Sequence, residues 1–95
     1  MTREEFTRGY GVQLRRDFDN ICELREELKE ALKDTKPAYL SVREYYKHTS
    51  RVNGLRNAIH EINVAIVHLV RSYLGDYNFS EALRIAAEIA KEVTA

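Results

Sequence analysis

Residues Leu55–Leu74 read LRNAIHEINVAIVHLVRSYL. At 100° per residue, Leu55, Ile59, Ile62, Ile66, Leu69 and Tyr73 fall on one line, spaced alternately four and three residues apart. That is the seam of an amphipathic helix. Val64, Val67 and Leu74 point away from the seam, and Ala58, Ala65 and Val70 flank it. A helix apolar over so much of its circumference needs several partners. The second half of this helix is therefore expected at the centre of a bundle, or at the contact between copies of the chain.

A second seam lies upstream. From Val12 to about Lys33, Leu14, Phe18, Ile21, Leu28 and Leu32 recur at helical spacing, with Glu23, Glu26, Glu27, Lys29 and Glu30 on the outer side. Lys33-Asp34-Thr35-Lys36-Pro37 breaks the pattern, since Pro37 lacks an N–H and disfavours helix at Lys36. Ser41-x-x-Glu44 then reads as a capping box. From Val42 the seam runs through Tyr45, His48 and Val52 into the opening stretch, with Asn53-Gly54 as a weak point. Gly75 is placed to end that helix, and Asn78-x-x-Glu81 to start another over about 79–93. At the other end, residues 2–10 read as a short helix or arm capped by Thr2 and broken at Gly9 and Gly11. The expected fold is all-α. An antiparallel helical hairpin, about 12–33 against 42–74, carries a short helix at each end and assembles into a homo-oligomeric bundle.

Composition narrows the function. The 95 residues make one domain with a thin core. Apolar residues are 44% and charged ones 32%, which fits a folded helical protein. Net charge is zero, so there is no overall basic field of the kind that marks many nucleic-acid binders. The lone Cys22 excludes an internal disulfide and a multi-cysteine zinc site. His48, His60 and His68 share no metal-ligand spacing, and no paired carboxylates, phosphate loop or nucleophile elbow is present. A non-enzymatic protein without cofactor or metal is expected. The polar start, MTREEFTRGY, carries no signal sequence, and no apolar run is long enough for a bilayer. A cytoplasmic location follows as an expectation.

Three residues stand out. Arg25 occupies the gap in the upstream seam, between Ile21 and Leu28. Either it snorkels while Leu24 takes the contact, or the seam opens there onto an anion that suits a planar, bidentate guanidinium. Tyr10 sits between two glycines and could stack on a flat ligand or pack over the hairpin end. Arg71 lies behind the central helix, suited to its C-terminal dipole, to a rim salt bridge or to an anion at an interface. Arg43, Lys47 and Arg51 repeat every four residues near Tyr39, Tyr45 and Tyr46. Such a stripe could track phosphates, but Glu44 and the neutral balance speak for a plain solvated face.

Arg8-Gly9-Tyr10, Leu24-Arg25 and the closing Leu69-Val70-Arg71, preceded by Leu55, Ile62 and Asn63, form a pattern. It resembles the small phage-encoded hairpin proteins that sequester cyclic-oligonucleotide immune signals, the anti-CBASS sponges, whose hairpin is shared with the anti-Thoeris sponges. Their pattern is a Gly-Tyr near the start, an apolar-Lys pair further on, and an L-Q-x-G…L-V-R run in the second arm. The resemblance covers residues 8–73. Here Arg25 stands for the usual Lys, Asn63 for Gln, Ala65 for Gly and Gly54 for Trp. The inter-arm loop is longer, and the helix after Gly75 is extra.

The resemblance implies that Tyr10 stacks on a nucleobase, Arg25 holds a phosphate, and Arg71 contacts phosphate in a second kind of pocket. It further implies a homo-oligomer, a hexamer in the family, with pockets between protomers, working in a bacterial host's cytoplasm. Two other readings remain beside this one. One is a helical adaptor or inhibitor that grips a host protein through the back of Leu55–Leu74. The other is an RNA-binding hairpin that uses Arg43, Lys47 and Arg51, although a nucleic-acid polymer is not the expected partner.

Overall fold

A computed structural model describes residues 1–33 and 41–93 of the chain. It is all-helical over these residues: α1 (Arg3–Lys33), α2 (Val42–Tyr73) and α3 (Phe79–Glu92). The proline break at 34–37 and Tyr39 lie outside the described residues. Each helix packs on the other two. No helix is long and apolar enough to cross a membrane, among the described residues.

The short N-terminal helix expected before Gly9 does not exist as a separate element. α1 is one helix of 31 residues that runs straight through Gly9 and Gly11. Two glycines in a helix interior cost about 1 kcal/mol each relative to alanine. Burial offsets that cost, because Phe6 and Leu14, on either side of the glycines, are both 0% exposed. Gly11 also has a positive use. A Cβ there would lie 2.5 Å from Val93 Cγ2, so the Val93 side chain occupies the space that a side chain at position 11 would need. Thr2 caps the helix as expected: its hydroxyl accepts from the Glu5 N–H at 3.2 Å.

α2 also runs unbroken, through Asn53-Gly54. At its start the capping box of Ser41 and Glu44 is complete in both directions. At its end the Leu74 N–H donates to the Val70 carbonyl, and Gly75 follows at φ 138°, a conformation that favours glycine. Asn78 then caps α3 by accepting from the Glu81 N–H at 2.8 Å.

The core joins all three helices. α1 contributes Phe6, Leu14 and Ile21, α2 Ile66, Val67 and Val70, and α3 Ala82, Ile85, Ala86, Ile89 and Ala90. The alanines of α3 allow close approach to its neighbours. Val67, whose side of α2 is expected at the centre of a bundle or at a contact between copies, is 3% exposed and belongs to this intrachain core. α3 supplies the extra partner that the apolar circumference of α2 required. Val64 stays outside at 44% exposure.

α3 is 14 residues and α2 is 32. At 1.5 Å per residue these are about 21 Å and 48 Å, so α3 covers less than half of the α1–α2 length. It covers the half that holds the start of α1 and the end of α2. There Arg3 pairs with Glu88 and Glu92, both at 3.3 Å, and Arg15 Nη1 donates to the Val93 carbonyl at 2.7 Å. The exposed pairs orient α3 more than they stabilise it. Beyond Ile21 the buried residues of α1 and α2 are only Ala31 and Val52, among those described.

The glycines separate two roles. Nothing lies within 4 Å of a Cβ built at Gly54. Gly54→Ala is expected to raise the unfolding free energy by about 0.5–1 kcal/mol. Gly11→Ala is expected to lower it, because the Val93 contact must shift. Urea unfolding of the two variants should move the midpoint in opposite directions. Equal shifts would refute the close-approach role of Gly11.

Candidate functional site

Tyr10 and Arg71 lie at the α3-covered end, and Arg25 lies beyond it. Tyr10 is half-buried, between Phe6 and Tyr73. Its ring stacks on Tyr73 with centroids 5.0 Å apart and tilts against Phe6 at 5.3 Å. Phe6 also meets Tyr73 at 6.3 Å. These contacts set the start of α1 against the end of α2. The arrangement is that of a tyrosine packed over the end of the helix pair. Side-chain hydrogen bonding with Tyr73 raises the Tyr10 phenol above its ordinary 10.0, with burial and the charge on Tyr73 adding in the same direction.

Arg71 is exposed, and its Nε donates to the Tyr77 carbonyl at 2.7 Å. That bond ties the last turn of α2 to the loop that leads into α3. The rest of the guanidinium fork is left for other acceptors.

Arg25 does not sit in the seam. It is exposed, whereas Leu24 and Leu28 are half-buried and Ala31 is 0% exposed. From Ile21 the buried line steps through Leu24, Leu28 and Ala31, at spacings of three, four and three. Leu32, which was expected to continue the seam, is 42% exposed. Leu24 takes the contact, and Arg25 stands on the rim. Among the described residues it forms no ion pair.

Arg25 follows Tyr10 by fifteen positions on one straight helix, about 22 Å along the axis. The structure brings Tyr10 and Arg71 to one end and leaves Arg25 apart. His48 is half-buried while His60 and His68 are exposed, and no group of metal-ligating side chains forms among the described residues. Cys22 is exposed, in a groove of about 370 Å³ between α1 and α3 that Phe18, Ala87 and Ala90 also line. A wider groove of about 730 Å³ lies along Arg3, Thr7, Arg8 and Glu92. Neither groove contains Tyr10, Arg25 or Arg71.

Tyr73 is the site residue that sequence reading did not single out. Its signal was present, since it closes the α2 seam at the end of the helix. In the fold that position lies against the first turns of α1, where Phe6 and Tyr10 meet it. No family model, curated protein or solved structure matches the chain.

Because Tyr10 holds its proton more tightly in the folded protein, its contribution to stability is complete below 10.0 and is lost as pH rises through the higher folded value. Tyrosine-ring NMR should find Tyr10 ionising above its ordinary value. Tyr73→Phe should bring it back toward the ordinary value. An unmoved Tyr10 titration would refute the Tyr73 contribution.

Proposed function

We propose that the protein is a non-enzymatic binder that sequesters a cyclic di- or trinucleotide between copies of itself. In this reading α1 and α2 form an antiparallel hairpin whose bare half, beyond the reach of α3, packs on a second copy. The observation that carries the reading is Arg25: an exposed guanidinium, unpaired among the described residues, on the rim of the apolar line Leu24, Leu28 and Ala31, which lies outside the three-helix core. A guanidinium so placed has its full planar fork available to phosphate.

The distances support a site between chains. Arg25 and the Tyr10–Arg71 end are too far apart to share one small ligand within a chain. They meet across one ligand only when two chains lie side by side, or else they serve two kinds of pocket. Tyr10 is engaged with Phe6 and Tyr73, so it would present that aromatic stack as a wall and not as a free ring. The resemblance to the cyclic-oligonucleotide sponges supplies the ligand class, and the family's hexamer is the expected assembly. An adaptor that grips a host protein through the back of α2 is less well supported, because Val67 is already buried within the chain.

Calorimetry with a panel of cyclic di- and trinucleotides tests this. The native protein should bind at least one of them. Arg25→Ala should weaken that binding by about tenfold or more, the scale of a lost charge-assisted hydrogen bond. Native mass spectrometry should show an oligomer. A strict monomer, or unchanged binding by Arg25→Ala, would sink the proposal.

A further inference from the structure

The first four turns of α2 carry a face that the proposed function does not use. At 100° per residue, Arg43, Tyr46, Lys47, Ser50, Arg51, Gly54 and Asn57 fall on one side of the helix. Every one of them is exposed. Val52, at 7% exposure, lies half a turn round from Arg43, so the face is the solvent side of α2 and turns away from the packed one. The face holds three cations and no carboxylate over about 21 Å of helix.

Glu44, the acid that dilutes this stretch in the sequence, lies about a quarter turn from Arg43, at the edge of the face. Its carboxylate is folded back to accept from the Ser41 N–H at 3.3 Å, within the capping box. Arg43, Lys47 and Arg51 form no ion pair among the described residues. Tyr46 is 65% exposed within the cationic line, and Tyr45 meets it edge-on at 5.9 Å. An exposed tyrosine set in a line of unpaired cations is the pairing that binds single strands: charges follow the backbone while the ring takes a base. Gly54, with open space around it, leaves backbone accessible in the same line.

A second copy of the chain is the competing occupant, with its acidic α1 face as the counterpart. That face is mixed in sign, since Lys29 lies 3.6 Å from Glu26 and Lys33 lies 3.6 Å from Glu30. The electrostatic match therefore favours an external polyanion. We infer that the Arg43–Asn57 face of α2 is a binding site for single-stranded nucleic acid, separate from the Arg25 site. It takes the strand by its phosphates and by stacking on Tyr46, without reading a defined sequence.

Fluorescence anisotropy with a labelled single-stranded RNA of mixed sequence tests this on the whole 95-residue chain, over a salt series. Binding is expected at low salt and should weaken steeply as salt rises. The triple variant Arg43→Glu, Lys47→Glu, Arg51→Glu should abolish it. Tyr46→Ala should weaken it about tenfold, and Tyr46→Phe should restore it. No binding by the native protein at low salt would overturn the inference. So would a triple variant that binds as the native protein does. A triple variant that changes the native mass of the free protein would assign the face to a contact between copies, and that too would overturn it.

Discussion

The structure depends on the seating of α3 across the first half of α1 and the second half of α2. A two-helix layer buries one stripe of each helix and leaves the rest wet. Five side chains of α3, Ala82, Ile85, Ala86, Ile89 and Ala90, fill the groove between the two longer helices and complete a core with Leu14, Ile66 and Val70. Fully burying an Ile or Val contributes about 1.5–3 kcal/mol, whereas each exposed ion pair contributes under about 1 kcal/mol. The apolar contact therefore holds α3, and the Arg3 pairs with Glu88 and Glu92 decide how it lies. Gly11 is where this seating reaches back into the sequence of α1: the residue that looks like a helix breaker is the one that admits Val93.

The fold class, both long helices and most of their ends were legible in the sequence because they rest on local rules. Ser41, Asn78 and Gly75 act as caps over a few residues each, and the alternating four-and-three spacing of the α2 seam needs no knowledge of a partner. The two glycines in α1 were not legible, since their meaning depends on Val93, more than eighty residues away. Local propensity argued for a break, and tertiary contact overrode it. The fate of Val67 had the same origin. Periodicity showed that this face of α2 needed cover, but only the packing of α3 decided that the cover came from the same chain.

Among the candidate site residues, Arg25 shows how narrow such a margin is. A seam can step three or four residues and remain a seam. Stepping four from Ile21 lands on Arg25, and stepping three lands on Leu24. The chain takes the second step, which saves a guanidinium from burial and turns it outward. That choice follows from chemistry, since an unpaired buried Arg is costly and a half-buried Leu is favourable. Tyr10 differs, because its role was set by Tyr73, a partner at the far end of the other seam.

A net charge of zero describes the whole chain, but a ligand meets one face at a time. Between Val42 and Asn57 the sequence holds four Lys or Arg residues against the single carboxylate of Glu44. The glutamates that balance them lie largely on α1, where two of them, Glu26 and Glu30, sit beside lysines of the same helix. With a Debye length of about 8–10 Å at ordinary salt, charges on opposite sides of a molecule 27 Å across hardly cancel at either surface. The neutral sum and a locally basic helix are therefore compatible. What made the difference at α2 was geometric: the first-turn glutamate turned inward to its cap, and the cations kept the outer face to themselves.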